Sequence, residues 1–304
     1  MAKISALPKF DPTHSGRADQ IPVNFFLGGA PKTGTMSLHN YYLDQHPDIT
    51  MGTVKEPYFF NINWQKGIEW YSSHYPDREN IRKVGDGSSN LIVCQDAPRR
   101  IRALIRDPRF IFILRDPVDR LWSDYAFHLW RGDRPAILQD FGQFIRDEKN
   151  IWSVRMGLYF DNIQRWSDAF GLDNLHIIFT EDLQSDPLAK ARECYRFLGV
   201  DENFVPNVEF LHKTPLLNVK RVLWLYRQRE RLKDFLTPAT LALLETTMRD
   251  LKFAKPRSGN AAKDDRTIAP VDRAYLREIY ADQISMLEKF LKVDLKHWKR
   301  SFDP

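Results

Sequence analysis

Apolar residues in this chain fall into short runs divided by polar segments that carry glycine or proline. The run from Val23 to Leu27 is bounded by Pro22 and by Gly28-Gly29, which predicts a buried strand. The runs Phe110–Leu114 and Leu175–Phe179 have the same character, and each empties into a polar turn. Between these runs apolar residues recur at helical spacing. Leu38, Tyr41 and Tyr42 mark a helix that begins at Thr35 and ends at His46-Pro47. Val118, Leu121, Trp122 and Tyr125 mark a second, after Arg115-Asp116-Pro117. Leu188, Ala191, Tyr195 and Leu198 mark a third, from Pro187 to Leu198, closed by Gly199 as a C-terminal cap. Strands alternating with helices predict an α/β fold, with a central parallel β-sheet flanked by helices.

The pattern changes beyond residue 215. Residues 217–236 and 240–251 read as amphipathic helices, and 255–267 as a polar loop. Residues 272–291 read as a long helix, with Leu276, Ile279, Tyr280, Ile284, Leu287 and Leu291 at helical spacing. At the other end, residues 1–20 are polar, carry Pro8 and Pro12 and show no period. They read as a flexible arm ahead of a single domain over 21–304 with C-terminal helices. The chain shows no internal repeat.

Composition narrows the picture. The 304 residues are 43% hydrophobic and 28% charged, which is globular usage and excludes a disordered chain. A net charge of +5 suits a protein that handles anionic ligands, yet it is too small to indicate nucleic acid. The two cysteines, Cys94 and Cys194, exclude a disulfide framework and a cysteine-built zinc site. No His-x-x-x-His pair occurs, and no metal is expected. The N-terminus has no apolar core of a secretory signal, and the longest apolar runs fall far short of a membrane span. The expectation is a soluble, cytoplasmic protein with no transmembrane segment.

Gly28-Gly29-Ala30-Pro31-Lys32-Thr33-Gly34-Thr35 lies between the first strand and the first helix. Consecutive backbone N–H groups in such a loop, with the positive end of a helix, form an anion cradle. Lys32 adds a cation, and the hydroxyls of Thr33, Thr35 and Ser37 add donors. Gly29 and Gly34 have the Walker spacing, but the lysine precedes the second glycine, and no Gly-Lys-Ser/Thr occurs. The Walker hydroxyl holds the magnesium that a triphosphate requires. A donor that passes on a sulfonate carries less charge, so a lysine and backbone amides suffice. A plain structural turn without ligand is the alternative.

The second strand–turn–helix places Arg115 at the end of its strand and Ser123 inside the following helix. An arginine fork and a hydroxyl directed to one crevice suit a phosphate. Ligands of open parallel sheets collect beyond the C-terminal ends of the strands, where both elements put their polar groups. Alternatively, Arg115 pairs with Asp116 or Asp119, and Ser123 faces solvent.

These two elements together resemble the sulfotransferases that use 3′-phosphoadenosine 5′-phosphosulfate (PAPS). Pro31-Lys32-Thr33-Gly34-Thr35-Met36 is similar to the 5′-phosphosulfate loop of that family, whose last position is variable. The segment Leu114–Tyr125 matches every fixed position of its 3′-phosphate element. Lys55–Phe60, Lys66–Tyr71 and the tail around Arg266 and 272–276 resemble the heparan-sulfate-type, glycan-modifying branch and its bacterial relatives. The likeness covers roughly residues 22–298. Gly85–Asn90 departs from the family's usual Gly-Glu-x-Ser-Pro or Glu-Lys-Ser-Pro, and a lysine found there in some relatives is absent.

The resemblance implies a P-loop-like sulfotransferase fold, PAPS as co-substrate and 3′-phosphoadenosine 5′-phosphate (PAP) as product. It implies a donor site of Pro31, Lys32, Thr33, Gly34, Thr35, Met36, Ser37, Arg115, Ser123 and Arg266, with Lys32 catalytic. Transfer of sulfonate to a hydroxyl or amine needs an activated acceptor and a stabilised leaving phosphate. Glu56 is the expected base: the resemblance places a catalytic glutamate there, and aromatic Tyr58 and Phe59 beside it should desolvate the carboxylate and raise its pKa. An ordinary ion pair with Lys55 is the bland alternative, and His128 is the rival base. Asp86 either orients the acceptor or builds a turn.

Seven arginines between Arg99 and Arg120, and the basic residues between Lys220 and Lys233, form either an electropositive rim or solvated helix faces. Trp64, Trp70, Tyr71, Trp122, Trp130 and Trp152 form either a platform for a sugar ring or phenol, or core. These residues do not identify the acceptor; the expected partner is a small molecule or glycan, and nucleic acid is not expected. Competing readings are an ATP-dependent small-molecule kinase of P-loop type, a sulfotransferase for a non-carbohydrate alcohol or phenol, and a nucleotide-binding module without chemistry.

Overall fold

The structure, a computed structural model, describes residues 21–75, 80–131, 139–207 and 268–302. The expected N-terminal arm, the two helices over 217–236 and 240–251 and the loop over 255–267 lie outside the described residues. The described chain gathers into two compact units. One holds residues 21–30, Gly34–Ile113 and 163–207; the other holds Pro31–Thr33, Leu114–Asn162 and 268–302.

The first unit is built on a parallel sheet of five strands: β1 (Phe25–Gly29), β2 (Ile49–Thr50), β3 (Lys83–Asp86), β4 (Arg109–Leu114) and β5 (Leu175–Phe179). Their order is β2-β3-β1-β4-β5. β1 pairs with β3 through Phe25↔Gly85 and with β4 through Phe26↔Phe110 and Leu27↔Ile111. The parallel sheet flanked by helices is the architecture expected from the alternation of strands and helices.

Burial of both faces explains why β1, and β4 after Arg109, carry no polar side chain. Phe25, Leu27, Ile111 and Ile113 enter one core, packed with Ala191, Cys194, Tyr195 and Leu198 of the Pro187–Leu198 helix. The residues between them, Phe26, Phe110 and Phe112, face an aromatic layer. Phe26 stacks on Phe110 at 5.3 Å, and Phe110 meets Trp166 at 4.9 Å. A strand buried on both faces cannot alternate with polar residues. Each fully buried aromatic here contributes roughly 1.5–3 kcal/mol.

The second unit is helical, with Pro117–Arg131, Phe141–Arg146, Ile151–Arg155 and Pro270–Leu291 as principal described elements. Its centre contains Arg120, fully buried, which pairs with Asp124 at 3.4 Å and donates to the carbonyl of Ser153. A buried guanidinium without such partners would be strongly destabilising. The Tyr280 hydroxyl donates to the carbonyl of Val154 at 2.9 Å, and Arg146 pairs with Asp272 at 2.5 Å. These bonds fasten the long C-terminal helix to the Ile151–Arg155 and Phe141–Arg146 helices, respectively.

Several boundaries differ from those read in the sequence. β1 begins at Phe25 rather than Val23, and the helix expected from Thr35 to His46 is a four-residue α-helix, Thr35–Leu38, that passes into a π turn, His39–Leu43. The last long helix begins at Pro270, in keeping with proline's preference for the first helical turn.

Candidate functional site

The loop after β1 departs from extended geometry at once. Gly29 has φ 132°, and a Cβ there would run into the carbonyl of Ser89. Gly34 has φ 103° and ends the loop; its carbonyl accepts from the amides of Ser37 at 3.0 Å and Leu38 at 3.1 Å. Both conformations favour glycine. Thr33 and Thr35 are buried, Ser37 and Pro31 are half-buried, and Met36 is 58% exposed.

Lys32 lies in the left-handed region, at φ 70°. Its Nζ sits 3.9 Å above the centre of the Phe127 ring. Such a cation–π contact is worth about 0.5–2 kcal/mol, little enough to yield to an anionic ligand. The Lys32 carbonyl accepts from Arg115 Nη1 at 3.2 Å. Thus Arg115, at the end of β4, is bonded to the backbone of the glycine-loop lysine. Its other η nitrogen stands 3.7 Å from Asp119, so the pairing weighed from the sequence exists but is long.

The rest of the Leu114–Tyr125 segment builds the support for Arg115 and Ser123. Asp116 caps the Pro117–Arg131 helix: its Oδ1 accepts from the amides of Val118 at 2.9 Å and Asp119 at 3.2 Å. The hydroxyl of Ser301 donates to its Oδ2. Burial pushes the Asp116 carboxyl up to about 6, against these hydrogen bonds. Arg120, Asp124 and Tyr125 are tied inside the unit, Tyr125 through a 2.9 Å bond to the carbonyl of Gln139. Ser123 is half-buried on the same helix, three residues after Arg120. His128, the rival base, lies in the last turn of the same helix, half-buried, with its ring 6.0 Å from that of Phe144.

Glu56 belongs to the first unit. Its backbone has φ 60°, and that of Tyr58 has φ 51°, both uncommon for residues other than glycine. The conformation is held by side chains. The Tyr58 hydroxyl donates to Glu56 Oε2 at 2.5 Å, the Ser89 hydroxyl donates to Oε1, and Lys55 Nζ stands 3.4 Å from Oε1. The Tyr58 amide in turn donates to Ser88 Oγ at 3.0 Å. Ser88 is fixed by Asp86, whose Oδ1 accepts from its amide at 2.7 Å and whose Oδ2 accepts from Tyr71 at 2.7 Å. Asp86 therefore builds the turn after β3.

The expected rise in the Glu56 pKa is corrected here. Burial does push the carboxyl up, but the Ser89 and Tyr58 hydroxyls and the Lys55 ammonium together hold it below the usual carboxylate range. Glu56 is thus an ionised acceptor whose side chain is 26% exposed. The Lys55–Glu56 pair is present, as the bland reading expected, but it is one contact of three.

Sequence reasoning missed Ser88 and Ser89, which hold the Glu56 turn; their only signal was the departure of Gly85–Asn90 from the family pattern. It also missed His39, buried against Gly87, whose imidazole is kept low by burial and whose Nδ1 meets Asn40 Oδ1 at 2.7 Å. Of the aromatic residues, Trp64 and Tyr71 are core, Trp70 and Trp122 are half-buried, and Trp152 is 52% exposed. Among the seven arginines, Arg100 and Arg120 are buried, Arg100 donating to the carbonyls of Phe60 and Asn61. Arg266, the side chain of Trp130 and the basic residues 220–233 lie outside the described residues. Among the described residues no group of three or more His, Cys, Asp or Glu is placed to hold a metal, and no helix is long and apolar enough to cross a membrane.

With both elements in place, comparison with known proteins settles the class. Residues 22–218 match the family described as sulfotransferase domain, and the chain belongs to that family of enzymes. It is similar to the bifunctional heparan sulfate N-deacetylase/N-sulfotransferase 4 of Mus musculus, 33% identical over 203 residues, which are 61% of this chain and 23% of that protein. It is also similar to heparan sulfate glucosamine 3-O-sulfotransferase 3B1 of Mus musculus, 31% identical over 187 residues, which are 60% of this chain and 47% of that protein. The chain thus spans less than half the length of these relatives. A sulfotransferase crystal structure from Alicyclobacillus acidocaldarius has 25% identity and a TM-score of 0.65, over 91% of this chain and 99% of that one. Membership sets aside the kinase reading.

Proposed function

We propose that this protein transfers a sulfonate group from PAPS to a hydroxyl or amine of a carbohydrate acceptor and releases PAP. The observation that carries the reading is the hydrogen bond from Arg115 to the Lys32 carbonyl, which joins the two donor-site motifs. The residues fit an anionic nucleotide: Lys32 and Arg115 supply cations, Ser123 a hydroxyl, and the Gly34 turn supplies backbone amides. Lys32, Thr33, Gly34, Thr35 and Ser37 would hold the 5′-phosphosulfate end, flanked by Pro31 and Met36. Arg115 and Ser123 would hold the 3′-phosphate, with Arg266 as a further contact. When bound, the donor supplies an electrophilic sulfur and a phosphate leaving group.

Lys32 stabilises charge on the leaving oxygen, for which it exchanges its contact with Phe127. Glu56 takes the acceptor's proton at a carboxylate oxygen. Its depressed pKa keeps it ionised at neutral pH, ready to accept, at the cost of some basicity. Two kinds of relative favour a carbohydrate acceptor: one is a heparan sulfate N-deacetylase/N-sulfotransferase and the other a heparan sulfate glucosamine 3-O-sulfotransferase. The test is a screen of acceptors with sulfur-labelled PAPS, reading which product carries the label. Label on a glycan supports the reading; label on a phenol or simple alcohol alone moves the acceptor to the non-carbohydrate alternative.

A further inference from the structure

The C-terminal part of the second unit carries a solvent-open groove of about 490 Å³ that the donor-site residues do not line. Its walls are Arg277, Ala281 and Ser285 on one side and Lys296, Lys299, Arg300 and Phe302 on the other. The first three are spaced at i, i+4 and i+8 on the Pro270–Leu291 helix, so they form one stripe of its surface. Ala281 and Ser285 are small and uncharged, so this stripe of the helix leaves the groove open beside Arg277. Lys296, Lys299 and Arg300 follow at i, i+3 and i+4 over the Lys296–Lys299 helix and the turn after it. Four of the seven lining residues are cations, and none is acidic.

The cations are not equally committed. Lys299 is held by Glu288 at 2.6 Å and Lys296 faces Asp294 at 3.5 Å. Arg277 and Arg300 are exposed and have no acidic partner among the described residues. The Ser285 hydroxyl donates to the carbonyl of Ala281 at 3.0 Å, so it is not the donor that matters. Two arginine forks lining a groove of this size suit an oxyanion carried on a larger body. The volume is that of a site for a sugar- or nucleotide-sized ligand rather than for a bare ion.

We infer that this groove is a second anion site, taking a sulfate- or phosphate-bearing sugar unit through Arg277 and Arg300, apart from the donor site. The unit is either a sulfated residue of a glycan chain or a phosphorylated ribose. The inference does not require the proposed reaction. The turn that carries the groove's basic wall also bonds to the donor motif, since Ser301, next to Arg300, donates to Asp116 and accepts from Arg273.

Binding distinguishes the sources and needs no turnover. A heparin-derived tetrasaccharide and PAP are each titrated calorimetrically into wild type, Arg277→Ala/Arg300→Ala and the charge-matched control Arg102→Ala/Arg106→Ala. Loss of two charge-assisted contacts should weaken the dependent probe roughly tenfold or more at about 150 mM salt. If the tetrasaccharide weakens in the first variant and not in the control, the site takes sulfated glycan. If a second PAP equivalent is lost instead, it takes the phosphorylated ribose. Wild-type affinity for both probes in Arg277→Ala/Arg300→Ala, or an equal loss in the control, overturns the site. Failure of sulfonate transfer with intact arginine-dependent binding would count against the proposed function alone.

Discussion

Arg115 donates to the main-chain carbonyl of Lys32 at 3.2 Å, across 83 residues of sequence. A guanidinium assigned to the non-reacting end of the donor therefore also fixes the backbone of the lysine assigned to the reacting end. Arg115→Ala should weaken PAP binding by roughly 10–100-fold, the range for loss of a charge-assisted hydrogen bond in a partly buried place. Arg115→Lys should recover only part of this, because an ammonium cannot serve the carbonyl and a phosphate in one plane. Calorimetric titration of PAP checks both; unchanged affinity in Arg115→Ala would remove Arg115 from the donor site.

Lys32→Ala tests the other end of that bond. Its carbonyl survives the substitution, so the tie to Arg115 can persist while the ammonium is lost. Turnover should fall by about 10²–10³, the typical effect of removing one preorganised charge contact. PAP affinity should change much less than kcat. Steady-state kinetics alongside PAP titration separate the two effects, and a loss confined to PAP affinity would contradict the assignment.

The pH profile should respond to Ser89. Its hydroxyl helps hold the Glu56 carboxyl below the usual carboxylate range. In Ser89→Ala that support is gone, burial weighs more, and the pKa rises. A base works only when ionised, so the acid limb of kcat/KM must move to higher pH, with little change on the plateau. Tyr58→Phe should move it in the same direction. A limb that stays in place in both variants would show that Glu56 does not set it.

How much of this was legible in the sequence depends on the range of the forces. β4, β5 and the Pro187–Leu198 helix were readable because burial on both faces, or on one helical stripe, writes itself into a local run. β2 and β3 were not: Ile49-Thr50 is two residues long, and Lys83-Val-Gly-Asp86 has no apolar run. Lys32, Arg115, Ser123 and Glu56 were found by their motifs. Of the partners of Glu56 only Lys55 was; the Ser89 hydroxyl reaches it across 33 residues, and the pKa expectation failed with it. Desolvation by the Tyr58 and Phe59 rings is a local signal, whereas the Ser89 hydroxyl that opposes it most is distant in sequence and the Tyr58 hydroxyl opposes it only once the turn brings it onto Glu56.

Stability should depend on pH through Asp116. Burial pushes its carboxyl up to about 6 from an ordinary 3.8, so the folded protein favours the protonated form. Its contribution is fully present below 3.8 and is lost as pH rises through 6. Asp116→Asn keeps an oxygen to cap the helix and carries no charge. The gain in Tm of this variant over wild type should therefore grow between about pH 4 and 7, reaching at most roughly 3 kcal/mol in free energy. A pH-independent difference between the two melting curves would contradict the raised pKa.

The most direct measurement is transfer of labelled sulfonate from PAPS to heparosan and to N-desulfated heparin, by wild type and by Glu56→Gln. The substitution keeps the size and the hydrogen-bonding oxygen of Glu56 and removes its basicity. The account predicts labelled glycan and an equivalent of PAP with wild type. It predicts a loss of about 10²–10⁴ in rate for Glu56→Gln, with PAP binding unchanged and His128→Ala only mildly affected. A Glu56→Gln protein as active as wild type, with His128→Ala inactive, would contradict it and move the base to His128.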